Sequence, residues 1–253
     1  MGIIQNIYKF NPFFNKSKFK LVYLHIEKSA GTSQRIFFYE NFNHTDVFWY
    51  GIDSETNTFL IDEVRCHKIL GGHRFIDFYN NSKYIYLSVI RDPIPSVLSL
   101  FNYFITQENH KKNWFKKKGF DPLSFENTLI NCPAFRNRIE NHQCRYFGKN
   151  KSFVEALKTI KKFKFVLGCL SKLELFNQVL FDSLNISQPK FPKVNVAQSG
   201  YQKDFNLSQS SMNVLNKLVQ QDRLLYDYII NQYGGLYNNV NHKDWNKLNV
   251  KPH

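Results

Sequence analysis

Short apolar segments alternate along this chain with longer segments of helical periodicity, and this alternation limits the fold more than any other feature of the sequence. The segments that read as strands are 20–25, 67–71, 84–90 and 163–168. They are almost continuously apolar, which is typical of strands covered on both faces. The segments that read as helices are 31–42, 93–106, 122–131, 135–147, 152–161, 171–183 and 209–233. The order predicts an α/β fold, a three-layer sandwich in which helices flank a central, mainly parallel sheet.

No internal repeat and no break in composition divides the chain, so the sequence predicts a single domain over residues 1–253, with its core at about 20–233. The polar segment 236–253 is rich in Asn and Lys, and it is expected to fray or to pack loosely. Hydrophobic residues make up 43% of the chain and aromatic residues 17%, which allows a large core and excludes a disordered chain.

The chain is strongly basic, with 34 Lys and Arg against 20 Asp and Glu and a formal net charge of +14. An excess of this size predicts an acidic partner, which can be nucleic acid, an anionic membrane surface, an anionic glycan or a polyphosphorylated nucleotide. The charge alone does not choose among these partners.

Targeting and metal signals are absent from the sequence. No apolar segment reaches the roughly 18 residues of a membrane span, and the basic, polar first 20 residues do not resemble a signal peptide. The four cysteines have no metal-site spacing and are expected to be reduced. We therefore expect a cytoplasmic protein without a metal site.

The first strand is followed by the residues HIEKSAGTSQR, which occupy positions 25–35. The unpaired N–H groups at a helix start attract anions, Ala30 and Gly31 permit a tight turn, and Lys28 adds a positive charge. The hydroxyls of Thr32 and Ser33 can donate to oxyanions. In the nucleotide loop G-x-x-x-x-G-K-[ST] the lysine follows the last glycine, whereas Lys28 precedes Gly31 by three residues. The segment predicts an anion site of a different kind, and the alternative is an ordinary capped helix beside a solvated lysine.

A second strand-to-helix junction lies at residues 84–104, where Arg91 ends the strand and Asp92 and Pro93 suit the start of a helix. On that helix Ser96, Ser99 and Tyr103 share one face. Arg91 and Ser99 can therefore converge on one phosphate. In the alternative interpretation, Arg91 pairs with a neighbouring carboxylate and Ser99 only fills the helix face.

Two further segments contain candidate functional residues. His73 follows two glycines at the end of a predicted strand, where ligands of α/β sheets bind, and it suits general-base chemistry near neutral pH. Residues 110–120 contain five lysines together with Trp114 and Phe115. This segment can grip an anionic chain, or it can be solvated surface.

Taken together and in this order, these motifs resemble the sulfotransferases that use 3′-phosphoadenosine 5′-phosphosulfate (PAPS). Within them the chain looks most like the carbohydrate branch that contains the heparan and uronyl 2-O-sulfotransferases. The resemblance covers about residues 20–233 and extends to NHQCRYFG at 141–148, FVLGCLSKLELF at 165–176 and LLYDYIINQY at 224–233. It implies a P-loop-like fold and a carbohydrate or glycoconjugate acceptor.

The resemblance also assigns roles to residues. The loop around the 5′-phosphosulfate would consist of Lys28, Ser29, Ala30, Gly31, Thr32 and Ser33. Arg91 and Ser99 would bind the 3′-phosphate, and His73 would be the general base, with Lys28 assisting departure of the phosphate. A looser match to the late nucleotide-capping loop consists of Lys193, Asn195 and Ser199. The candidate contacts to the acceptor are Arg74, Lys111, Lys112 and Arg145.

The implied reaction is an in-line sulfuryl transfer that needs no metal and yields 3′-phosphoadenosine 5′-phosphate (PAP). The expected partner is an anionic or neutral glycan or glycolipid, with peripheral membrane contact open and nucleic acid not expected. Two residues depart from the family pattern. Glu27 stands where proline is usual, and Gly71 replaces the first histidine of the 2-O-sulfotransferases' His-Gly-His.

Two other functions compete with this one. A P-loop kinase or NTPase would share the phosphate chemistry, but the position of Lys28 and the lack of a clear strand ending in a magnesium-binding Asp argue against it. A basic nucleic-acid-binding protein would use residues 110–120 and would show salt-sensitive binding.

Overall fold

The computed structural model of the chain describes residues 19–50, 67–106, 115, 118–190, 205, 207–248 and 250–252. Its strands are β1 (Leu21–Leu24), β2 (Val47–Tyr50), β3 (Ile69–Gly72), β4 (Ile85–Ile90), β5 (Lys164–Cys169) and β6 (Leu236–Asn238). They form one six-stranded sheet in the order β2-β3-β1-β4-β5-β6. All neighbouring strands are parallel except β5 and β6. The predicted α/β fold with a central, mainly parallel sheet and flanking helices is confirmed.

The helices are α1 (Gly31–Asn41), α2 (Ile76–Tyr79), α3 (Pro93–Thr106), α4 (Phe125–Asn131), α5 (Pro133–Ile139), α6 (Phe153–Lys162), α7 (Leu173–Leu184), α8 (Gln209–Leu218), α9 (Gln220–Tyr233) and α10 (His242–Asn246). Short 3-10 turns lie at His44–Asp46, Cys144–Tyr146 and Leu170–Lys172. Among the described residues, no helix has both the length and the apolar character needed to cross a membrane.

The sheet lies between two layers of helices because successive strand residues face opposite sides. Leu21 and Tyr23 of β1 pack on the face covered by α1, α7 and α10, whereas Val22 and Leu24 pack on the face covered by α2, α6 and α9. A third cluster of buried residues lies beside this sandwich, where α3, α4, α5 and α8 pack together. Cys132, Cys144 and Cys169 are buried and free, so Cys132 and Cys144 do not pair.

The structure differs from the predicted elements at several places. Strand β2 was not predicted, although its residues VFWY are fully buried in pairing with β3. The helix predicted over 209–233 is divided at Val219 into α8 and α9. The helix predicted over 135–147 ends at Ile139 and resumes only as a 3-10 turn.

The C-terminal segment does not fray. Residues Leu236–Asn238 form the antiparallel edge strand β6, and Trp245 of α10 packs into the core with 5% of its surface exposed. The prediction from the Asn- and Lys-rich composition is wrong because a polar side chain of this segment, that of Asn239, bonds to the backbone beside and within β5. Its Oδ1 accepts from the N–H of Phe165 and its Nδ2 donates to the carbonyl of Phe163.

The fold brings the junctions after β1, β3 and β4 to one edge of the sheet. Strand β1 lies between β3 and β4, and all three run parallel in matched register. The connection from β3 to β4 passes over β1, because β1 lies between these two strands in the sheet. The carboxyl end of β1 is therefore a topological switch point, where ligands of open α/β sheets bind. The residues that the sequence singled out after these strands therefore lie at the carboxyl edge.

Candidate functional site at the carboxyl edge of the sheet

The loop between β1 and α1 makes a tight turn on non-glycine residues. Lys28 and Ala30 both adopt left-handed backbone conformations, with φ of 64° and 61°. Such conformations cost energy in residues with a Cβ, and they are frequent at ligand sites. Ser29 between them is fully buried, and its Oγ has no hydrogen-bond partner in the described part of the chain. The turn therefore buries a hydroxyl whose hydrogen-bonding capacity the described residues do not use.

Helix α1 begins at Gly31 without a side-chain hydrogen bond to cap it. The capped helix start that was the alternative interpretation of this segment is therefore not observed. The N–H groups of a first helical turn have no partner within the helix and carry partial positive charge. Thr32 is half-buried and Ser33 is buried in this turn. The start of α1 thus presents backbone donors beside two hydroxyl side chains.

Lys28 lies between the loop and helix α3. Its Nζ is 4.4 Å from the centroid of the Tyr103 ring, within range of a cation–π interaction. Ser99 is half-buried and precedes Tyr103 by four residues, so the two side chains share one face of α3. Arg91 approaches from the end of β4, and its Nη1 donates to the carbonyl oxygen of Lys28 over 3.3 Å. Lys28, Arg91 and the Ser99 face of α3 therefore converge.

The backbone of Arg91 is fixed by a residue that the sequence did not identify. Gln143 accepts from the N–H of Arg91 over 2.8 Å, and its Nε2 donates to the Arg91 carbonyl over 2.7 Å. Gln143 is held in turn by Asp222 at the start of α9, which accepts from the N–H groups of Gln143 (3.0 Å) and Cys144 (2.7 Å). Burial raises the pKa of Asp222 to about 6, although both N–H donors act in the opposite direction.

The carboxylate nearest to Arg91 in sequence is Asp92, and it has two other roles. It caps α3 by accepting from the N–H of Ile94 over 3.1 Å, as predicted. It also forms a bidentate ion pair with Arg223, at 2.7 and 2.9 Å. The pairing of Asp92 with Arg223 leaves Arg91 directed at the loop rather than at this neighbouring carboxylate.

His73 is exposed at the end of β3, and its Nδ1 lies 2.8 Å from the carbonyl oxygen of His25. A carbonyl oxygen only accepts hydrogen bonds, so Nδ1 carries the proton in this contact. The lone pair of a neutral His73 then resides on Nε2. This is the state that a general base requires.

His25 was not singled out in the sequence, yet it packs directly against His73. The two imidazole rings are stacked with centroids 3.9 Å apart and planes 28° apart. The ring of Trp49 from β2 contacts His25 edge-on, with centroids 5.8 Å apart. Burial, and then the positive charges of His73, Arg35 and Lys28, hold the pKa of His25 well below 6.5. His25 is therefore neutral at physiological pH.

The glycines near these rings provide space. A Cβ on Gly31 would lie 1.6 Å from Cδ2 of His25, and a Cβ on Gly71 would lie 2.2 Å from the six-membered ring of Trp49. Gly71 therefore cannot be replaced by a histidine without moving Trp49. The site nevertheless contains two imidazoles, since the second one comes from His25 at the end of β1.

The charge of Glu27 is compensated within the protein. Its carboxylate forms an ion pair with Arg138 of α5 and lies 3.6 Å from Nε2 of His142. Burial, and then the charge of Arg138, lowers the pKa of His142 to about 3, so His142 is neutral and Arg138 is the partner that carries charge. The acidic residue beside the loop thus does not oppose an anion.

The candidate acceptor contacts are only partly described. Arg74 stacks over Tyr50 and Phe78, with its Cζ 5.5 and 5.4 Å from the ring centroids. The Cζ atom of Arg145 lies 5.3 Å from the ring centroid of Phe75, which follows His73 by two residues in sequence. The remaining predicted residues lie outside the described part of the chain: Lys111, Lys112, Lys193, Asn195 and Ser199. Phe115 from the basic segment is buried in the cluster beside α3, so it is not available to grip an anionic chain.

The described residues contain no cluster of three His, Cys, Asp or Glu side chains suited to a metal ion. What the edge of the sheet does contain is an exposed imidazole that is protonated on Nδ1, next to a loop and a helix start whose donors suit an anion. Comparison with known proteins finds no match, either to a protein-family model or to a curated protein sequence.

Proposed function

We propose that the chain is a sulfotransferase that moves a sulfuryl group from PAPS to a hydroxyl of a carbohydrate or glycoconjugate. The observation that carries the proposal is the contact between His73 and the carbonyl of His25, which leaves Nε2 as the basic atom beside an anion-binding loop. A general base next to hydrogen-bond donors for a phosphate suits the transfer of a sulfuryl group to a hydroxyl group.

The polar groups around the loop suit a sulfuryl donor that carries two separate anionic groups. The start of α1, Lys28 and the buried hydroxyl of Ser29 suit a 5′-phosphosulfate. Arg91 and Ser99 would bind the 3′-phosphate, which distinguishes this donor from ADP-like nucleotides. A P-loop-like fold is part of the proposal, and it is supported by the position of the loop, which follows the interior strand β1 and leads directly into α1.

The reaction would be a single in-line displacement. The acceptor oxygen attacks sulfur while its proton passes to Nε2 of His73, and the bond between sulfur and the bridging oxygen breaks. The electron pair of that bond leaves with the phosphate of PAP, where Lys28 and the N–H groups of α1 stabilise the charge. His73 then releases the proton to solvent.

The test is to incubate the purified protein with labelled PAPS and a panel of uronic-acid and hexose glycans. We expect transfer to at least one acceptor, and we expect His73→Ala to abolish transfer while PAP still binds. A matched control is His44→Asn, which changes an exposed histidine before β2, at the opposite edge of the sheet. Magnesium-dependent nucleotide hydrolysis without sulfate transfer would support a kinase or NTPase instead, and near-normal turnover by His73→Ala would exclude His73 as the base.

A further inference from the structure

His25 restricts the imidazole of His73 through more contacts than a general base requires. A single hydrogen bond to Nδ1 fixes the tautomer of an imidazole, but the ring can still rotate about that bond. Here the carbonyl oxygen and the ring of the same residue, His25, contact His73 from different directions, at 2.8 Å and with ring centroids 3.9 Å apart. The two contacts together restrict both the tautomer and the plane of the ring.

His25 is itself held on several sides. The ring of Trp49 lies against its edge, and the Cα of Gly31 leaves no room for a Cβ beside it. Its Nδ1 is buried and has no hydrogen-bond partner among the described residues. An unsatisfied buried nitrogen destabilises a fold, and such groups are rare enough to require a reason. An imidazole at this position is therefore not explained by packing stability alone.

The charge state of His25 suits a supporting role. The titratable and charged groups that face it are His73, Arg35 and Lys28, all of which disfavour a proton on its ring. When His73 takes a proton at Nε2, the new imidazolium lies over a neutral aromatic face instead of a second cation. Such a face attracts a cation rather than repelling it.

We propose that His25 is a positioning residue for His73, and that its ring and carbonyl oxygen hold the His73 imidazole in one plane and one tautomer with Nε2 directed to the acceptor hydroxyl. This inference rests on the proposed function for its catalytic meaning. It assigns to the end of β1 the role of orienting the base, in addition to leading into the anion loop.

The variants that test it are His25→Asn, which removes the aromatic ring but keeps the backbone carbonyl, and His25→Phe, which keeps a flat ring without nitrogens. We expect His25→Asn to lower kcat by about 10²-fold, the loss typical of a misplaced reacting group, with PAP affinity within threefold of the wild type. We expect His25→Phe to recover part of that loss. His44→Asn is again the control, since His44 stacks on Tyr39 in a comparable geometry, with centroids 5.3 Å apart and planes at 27°.

A second measurement does not depend on turnover. Long-range ¹⁵N–¹H correlation spectra report the tautomer of each histidine, and we expect His73 of the wild type to be protonated on Nδ1 when neutral. His25→Asn keeps the carbonyl, so we expect the same tautomer of His73. We expect a larger amplitude of ring motion in ¹³C relaxation, because the stacking contact that restricts the ring plane is lost. The inference is overturned if His73 of the wild type is protonated on Nε2, or if His25→Asn retains both the ring mobility of His73 and a kcat within twofold of the wild type. Should the wild type transfer no sulfate, the proposed function fails separately, and the spectra alone decide the positioning role.

Discussion

The substitution Gly31→Ala should destabilise the protein through a clash with one identifiable ring. The added Cβ would lie 1.6 Å from Cδ2 and 1.8 Å from Nε2 of His25, far inside van der Waals contact. The ring cannot move aside easily because His73 stacks on it and Trp49 lies at its edge. Overpacking of this kind costs about 1–3 kcal/mol. We expect a loss in that range in the free energy of unfolding.

The reasoning is tested by combining Gly31→Ala with His25→Ala. Without the His25 ring the clash is removed, and Gly→Ala in a helix then stabilises by about 0.4–1 kcal/mol through the unfolded state. Urea unfolding of the four proteins should give a coupling energy of about 2–3 kcal/mol, because the residues are in direct contact. Glu40→Ala, at an exposed position of the same helix, is the control for alanine itself. Additive effects, or an undisturbed Gly31→Ala protein, would refute the assignment of Gly31 to the space around His25.

Three further predictions concern the nucleotide site and the packing of the chain. Arg91→Ala should weaken PAP binding by about 10-fold or more, since hydrogen bonds to charged groups contribute about 1.5–3 kcal/mol; unchanged affinity in calorimetry would remove Arg91 from the site. Asp222 has a pKa of about 6 in the fold, above its ordinary 3.8, so its contribution to stability is present below pH ~4 and is lost as the pH rises through 6. Relative to Asp222→Asn, the wild type should therefore lose up to about 3 kcal/mol of unfolding free energy between pH 4 and 7, and a pH-independent difference would contradict the raised pKa. Trp245→Ala should cost about 3–5 kcal/mol, as for other buried aromatics, whereas an unchanged urea midpoint would mean that the C-terminal segment does not contribute to the core.

The parallel sheet was predictable because its interior strands carry a purely local signal. Strands β1, β3, β4 and β5 are almost continuously apolar, and their buried faces on both sides account for that pattern. The edge strand β6 is only three residues long and polar at its end, so its pairing depends on β5 rather than on its own sequence. A local sequence pattern therefore does not reveal an edge strand whose formation depends on pairing with a neighbouring strand.

The candidate site divides in the same way. Lys28, His73 and Arg91 could be identified because each follows a recognisable strand, and parallel strands end at one edge. Gln143 could not, because its contact to Arg91 joins residues 52 positions apart. The partner of Glu27 was equally hidden, since Arg138 lies 111 positions away in sequence. Contacts of this kind arise from the packing of helices that the sequence does not orient.

The hydrogen bonds that hold the backbone of Arg91 also affect when the site can be completed during synthesis. The residues that form them are translated far apart, since Gln143 reaches Arg91 and Asp222 then fixes the backbone of Gln143. A nascent chain that ends after β4 contains the residues of the loop around Lys28, but it lacks Gln143 and Asp222, which hold the backbone of Arg91. Domains are synthesised from the N-terminus, so competence to retain the proposed nucleotide is acquired only after α9 has emerged from the ribosome. Chains that terminate before α9 would enter quality control without that ligand to stabilise them.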